Sequence, residues 1–165
     1  MQRLRRLLVL GLISQLCALC AIPQTGAESK KEDNLYSIAM AASLDEMQRQ
    51  WGHQNNGIDY ARMLVWKNPE ITDDLPTQFG SHHVEVLDQQ SLVEMCKKAG
   101  KQLPVLEIHP IHNDGARLRI QVSLSWAKNY KRGLALGISD WSDVYFQFDC
   151  DKRTYTISEV KLGGI

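Results

Sequence analysis

From Ala116 to Trp126 the chain alternates without a break. Ala116, Leu118, Ile120, Val122, Leu124 and Trp126 share one phase, and Arg117, Arg119, Gln121, Ser123 and Ser125 share the other. Successive side chains of a strand point to opposite faces, so this segment is expected to bury one face and wet the other. That requires an antiparallel sheet with a solvent side, because parallel sheets are covered on both faces.

The neighbouring segments supply partners. Leu103–His112 reads as the preceding strand, and Asn113-Asp114-Gly115 as the hairpin turn between the two. Asn129–Gly133 turns the chain again. A third strand is expected from Trp141 or Ser142 to Cys150, with Val144, Phe146 and Phe148 inward and Tyr145, Gln147 and Asp149 outward. Asp151-Lys152-Arg153 forms a tight turn. Thr154–Leu162 is the fourth strand, with Tyr155 and Ile157 inward, and a phase change beyond Glu159 predicts a bulge.

The first half follows a helical period. Asp33 or Asn34 can cap a helix whose Tyr36, Met40, Leu44, Met47 and Trp51 fall on one face, and Gly52 stands at its stop. Asn55-Asn56-Gly57 is a turn. Residues 58–67 read as a strand or a second short helix, since Met63-Leu64-Val65-Trp66 has no resolvable period. Asn68-Pro69 ends the segment, and 71–81 is expected to be loop. His82–Leu87 is a short strand. A helix capped by Asp88, or boxed by Ser91 and Glu94, then runs to Ala99 with Leu92, Met95, Cys96 and Ala99 buried. Segregated helices and a one-sided sheet define the α+β class: a curved four-stranded antiparallel meander packed on helix 34–51, with a second short helix. At 165 residues, 23% charged and 44% hydrophobic, the chain is neither disordered nor collagen-like, nor a multi-domain enzyme of ordinary size.

The Asn68-Pro69-Glu70-Ile71 stretch with Leu75-Pro76, the strands Leu103–His112 and Leu118–Trp126, and the ending Val144–Cys150 into Val160–Ile165 together resemble a known pattern. It is similar to the cystatin-like α+β roll, in the nuclear transport factor 2-like variant, as found in small exported bacterial proteins of unknown function. The resemblance spans roughly 34–165 and implies the roll alone. Gln121-Val122-Ser123-Leu124-Ser125 departs from the Q-x-V-x-G of cystatin inhibitors. The roll hosts enzymes, ligand carriers and interaction modules, so it assigns no activity.

The first 27 residues have the order of a secretory signal: basic MQRLRR, an apolar run from Leu7 to Ile22, and Thr25-Gly26-Ala27 with small residues before Glu28. Cleavage after Ala27 is the first expectation and after Cys20 the second. The apolar run is shorter than the roughly 20 residues of a membrane span, which disfavours an uncleaved anchor. Bulky Leu16 and Leu19 before Cys17 and Cys20 disfavour a lipoprotein. The expected organisation is signal 1–27, charged lead-in 28–33 and one domain 34–165, periplasmic or extracellular. Without Arg3, Arg5 and Arg6, Lys+Arg falls to 16 against Asp+Glu 19, and a net −3 does not suit a nucleic-acid binder. No membrane partner is expected after cleavage.

Cys96 and Cys150 survive the cleavage. In an oxidising compartment they can bond, closing a loop of about 55 residues worth roughly 4 kcal/mol. Two separate buried thiols are the alternative. No motif near either lowers its pKa for catalysis.

Three constellations are candidates for function. Glu107 and His109 share a phase in an otherwise apolar run and can act as an acid–base pair in a small pocket enzyme. Trp141, in the polar stretch Ser139–Asp143, is a candidate interface anchor or a plug for the end of the roll. Arg117, Arg119 and Tyr145, with Gln147 and Thr156, fall on the sheet's outer phase, which suits a protein partner or a homodimer. Trp51, Trp66 and Trp126 are expected in the core. His53, His82, His83, His109 and His112 show no spacing that puts two on one face, so they are read as surface or strand-end histidines, and neither a metal site nor a cofactor is expected. The leading reading is an exported non-enzymatic module binding a protein or small ligand. The alternatives are the Glu107/His109 enzyme and a metal or ligand carrier.

Overall fold

The computed structural model describes residues 34–54, 57–131 and 133–164. The expected signal and lead-in, 1–33, lie outside the described residues. Among the described residues, two helices, α1 (Leu35–Trp51) and α2 (Gln89–Ala99), accompany eight strands: β1 (Arg62–Lys67), β2 (Gln78–Phe79), β3 (His82–Leu87), β4 (Leu103–Ile108), β5 (His112–Asp114), β6 (Arg117–Tyr130), β7 (Gly133–Asp149) and β8 (Thr154–Gly164). The α+β class is correct. The strands form one mixed, mostly antiparallel sheet in the order β2-β3-β1-β4-β6-β7-β8, with β5 on β6.

The ambiguous segment 58–67 is strand. β1 lies between β3 and β4 and is parallel to both. Met63 and Val65 enter one apolar cluster, while Leu64 and Trp66 pack on another. With both faces covered, the polar phase that would reveal a strand is missing.

Alternation in β1, β4 and β6 separates two cores. Met40, Leu44 and Met47 of α1 pack with Leu106, Ile108, Ile120, Val122, Leu124, Val144 and Phe146. Leu92 and Cys96 of α2 pack with Leu87, Val105 and Ala127 on the opposite face. The sheet is therefore not one-sided. Part of its expected wet face lies under α2, and Ser123 and Ser125 are buried there. Asn34 caps α1, its side chain accepting the Tyr36 N–H at 2.8 Å, and Asp88 caps α2, accepting the Ser91 N–H at 2.7 Å. Ala99, expected in the α2 stripe, is exposed.

Other expectations are corrected. The strand foreseen over 103–112 is two strands, because the ladder breaks at His109–Ile111 around Pro110. The loop 71–81 contains β2. β7 begins at Gly133, so Trp141 sits within a strand and not in a polar loop. Trp51, Trp66 and Trp126 are only partly buried. Phe148, Tyr155 and Ile157, expected inward, are 47%, 37% and 40% exposed. They continue the phase of Phe146 past the cover of α1, where Phe148 and Tyr155 stack edge to face at 5.2 Å. The β8 bulge is present: Glu159 pairs with Tyr145 and Ile157 with Phe146, leaving Ser158 as the extra residue.

The disulfide does not form. Cys96 is a buried free thiol on α2, and Cys150 is a free, exposed thiol in the β7–β8 turn. The sequence placed both inside, but Cys150 has already left the strand whose phase was extended to it.

Candidate functional site

The face carrying α2 is crossed by rows of side chains in register. Trp66, Glu107, Ser123, Trp141 and Gly163 form one row through β1, β4, β6, β7 and β8. Gln121, Asp143 and Lys161 form the next, and Arg119, Tyr145 and Glu159 the one after. Arg117, Arg119, Trp141 and Tyr145, singled out in the sequence, thus stand together on one face.

Tyr145 is its centre. The ring is 8% exposed despite its place on the outer phase. The Arg117 guanidinium lies 4.2 Å from the ring centroid and the Lys161 ammonium 5.0 Å from it. Both cations gain from the ring quadrupole. Arg117 also donates to Glu159 Oε2 at 2.9 Å, and Lys161 reaches the same oxygen at 3.3 Å. The Arg117 hydrogen bond, helped by Lys161, holds the Glu159 carboxyl below its ordinary range. Arg119 Nη1 is 3.6 Å from Asp143 Oδ1, a buried oxygen with no hydrogen-bond partner among the described residues. Trp141 is flattened against β8, since a Cβ at Gly163 would fall inside the indole.

Glu107 and His109 do come together, but loosely. His109 Nδ1 is 4.0 Å from Glu107 Oε1, beyond hydrogen-bond range. Sequence reasoning missed the third member: His109 Nε2 is 2.9 Å from Ser123 Oγ. The signal was available, because Ser123 shares the phase of Arg117 and Arg119, but β5 and a turn separate its strand from His109 in the chain. Serine, histidine and carboxylate in that order form a hydrolytic arrangement. Here the serine is 2% exposed, so substrate has no approach to its oxygen. A shallow cleft of about 270 Å³ opens beside His109, lined by Pro110, Ile111, His112, Arg119 and Gln121.

Glu159 and Lys161 were also missed, because the bulge at Ser158 reverses the phase of β8. His82 is not the surface histidine expected. It is buried, with Nδ1 2.8 Å from the Tyr60 carbonyl and Nε2 2.8 Å from Asp45 Oδ1. Among the described residues, no three His, Cys, Asp or Glu side chains are placed to hold a metal ion. Comparison with family models, curated proteins and solved structures returned no match.

Proposed function

We propose that the chain is an exported, non-enzymatic binding module whose recognition surface is the β6–β7–β8 face bearing Arg117, Arg119, Trp141 and Tyr145. The observation that supports this most is Tyr145 held between Arg117 and Lys161. Aromatic and arginine side chains already fixed in place lose little freedom on contact, and these residue types dominate protein interfaces. The partner is a protein surface. A second copy offers matching chemistry, because Arg117, Arg119 and Lys161 alternate with Asp114, Asp143 and Glu159 on the face. We read β4–β8 around α1 as a cystatin-like roll to which β1–β3 and α2 are added. Export rests on the order of residues 1–27, and N-terminal sequencing of the product should begin at Glu28.

A photo-crosslinking residue at exposed Gln147, on this face, tests the reading against the same residue at exposed Glu85 on β3. In the native host a discrete adduct is expected from position 147 alone, and it disappears with Arg117→Glu plus Arg119→Glu. Equal adducts from both positions, or an adduct indifferent to those substitutions, would refute it.

A further inference from the structure

The second feature lies on the opposite face, at the far end of the β6–β7 hairpin. β7 pairs with β8 only from Asp140 to Asp149. Its first residues, Gly133–Ser139, pair with β6 alone among the described residues. The register slips between Leu124 and Ser125, leaving Ser139 as a bulge where β8 stops. Among the described residues, no strand continues the line of β8 beyond Gly164, opposite Asp140, to pair with Gly133–Ser139.

That edge lacks two of the usual guards. Natural edges are blunted by charge, proline or strong twist, but Gly133-Leu134-Ala135-Leu136-Gly137-Ile138-Ser139 has neither charge nor proline. Its two phases differ. Leu134 and Leu136 pack toward α2. Gly133, Ala135 and Gly137 face the other way, opposite Tyr130, Lys128 and Trp126 respectively. The small residues leave a trough about one strand spacing wide, roughly 4.8 Å, between the open edge and those three long side chains. The trough forms a cleft of about 340 Å³ that Gln102 also lines.

Charge identifies the occupant. Residues 126–139 contain Lys128, Lys131 and Arg132 and no Asp or Glu. Lys128 lies over the Tyr130 ring at 5.1 Å, with no carboxylate in ion-pair reach among the described residues. Two copies of this tip would repel each other, whereas an acidic strand would be attracted.

We propose that Gly133–Ser139 is a strand-addition site for an extended peptide of another protein, one that alternates apolar side chains over the trough with acidic residues near Lys128 and Lys131. Main-chain hydrogen bonds to β7 supply affinity, and the trough reads every second side chain.

The test is selection of phage-displayed random octapeptides on the immobilised protein. Selected peptides are then synthesised and titrated while Trp126 fluorescence and the amide exchange of 133–139 are followed. Enrichment of alternating apolar–acidic sequences is expected, with slowed exchange at 133–139. Gly137→Glu puts a charge on the edge where an added side chain meets nothing within 4 Å, so the fold tolerates it. It should weaken binding about tenfold or more, and Lys128→Glu by a similar factor that shrinks in high salt. No enrichment of such sequences, or equal binding by Gly137→Glu, overturns the proposal. So does slowed exchange at 133–139 with a doubled mass and no peptide present, which assigns the edge to a second copy. Binding to phosphatidylglycerol vesicles in place of peptide overturns it in favour of a lipid surface. Neither variant touches the Tyr145 face, so its crosslink is unaffected by either result.

Discussion

His82 is the most informative residue to perturb, because one ring joins three elements. It enters from β3, meets the Tyr60 carbonyl before β1 at Nδ1, and meets Asp45 of α1 at Nε2. The two contacts differ in environment. The histidine side chain is 1% exposed and the Asp45 side chain 75% exposed. A carbonyl only accepts, so Nδ1 donates to Tyr60 inside the protein. Losing that donor costs about 1–3 kcal/mol, and deleting the ring adds packing loss of the kind that makes buried truncations cost roughly 2–5 kcal/mol. Since a histidine ring is smaller than most residues in that series, His82→Ala is expected to cost about 2–4 kcal/mol in all. Asp45 keeps its water, so its contact with His82 contributes less than about 1 kcal/mol, and Asp45→Asn should cost no more. Urea unfolding of both variants separates the two contacts. With a slope of about 2 kcal/mol/M, the middle of the usual range, His82→Ala should lower the midpoint by roughly 1–2 M and Asp45→Asn by under ~0.5 M, with the slope unchanged. Equal shifts, or a His82→Leu protein as stable as the parent, would refute the view that the buried carbonyl bond is the anchor.

Other outcomes follow from single residues. Ser125 Oγ is buried without a hydrogen-bond partner among the described residues, so Ser125→Ala should leave stability unchanged or raise it by up to about 1 kcal/mol. A loss of more than that in thermal unfolding would show that the hydroxyl is satisfied. Alkylation of the folded protein with iodoacetamide, mapped by mass spectrometry, should modify exposed Cys150 and spare Cys96, whose thiol burial also holds it above its ordinary pKa. Modification of both at one rate would place Cys96 at the surface. The backbone hydrogen bond from Ser91 depresses the Asp88 carboxyl in the folded state. The Asp88 contribution is therefore present above the ordinary carboxylate range and is lost as pH falls through the lowered folded value. Asp88→Ala should melt lower than the parent near neutral pH, and the gap should narrow as the pH is taken down through the acid range. A gap that persists there would mean that the charge is not what caps α2.

The parts of the fold legible in the sequence are those with one dry and one wet side. The α1 stripe from Tyr36 to Trp51, the Asp88 cap and the alternation of β6 each leave a periodic signal. β1 has both sides covered and leaves none. Ser123 and Ser125 look like wet-face residues because their type reflects the sheet's outer phase and carries no trace of α2 lying across it. The start of β7 was hidden by Gly133 and Gly137, which resemble turn residues until their opposite partners, Tyr130 and Trp126, are known. For the candidate site, phase alone grouped Arg117, Arg119 and Tyr145. Glu159 and Lys161 required the position of the bulge at Ser158, and the Ser123–His109 contact the cross-strand register, which only long-range pairing supplies.

The place of β1 bears on how the chain is made. Both of its parallel neighbours, β3 and β4, come later in the sequence. A nascent polypeptide emerging from its N-terminus cannot seal Met63 and Val65 until Ile108 has been synthesised, and α1 gains its full roof only once β8 has followed. Such distant closures are slow and leave apolar surface open to stray association. Translation or threading that pauses before residue 108 should therefore yield aggregates, while a holding chaperone that shields residues 35–67 should raise the yield of folded protein.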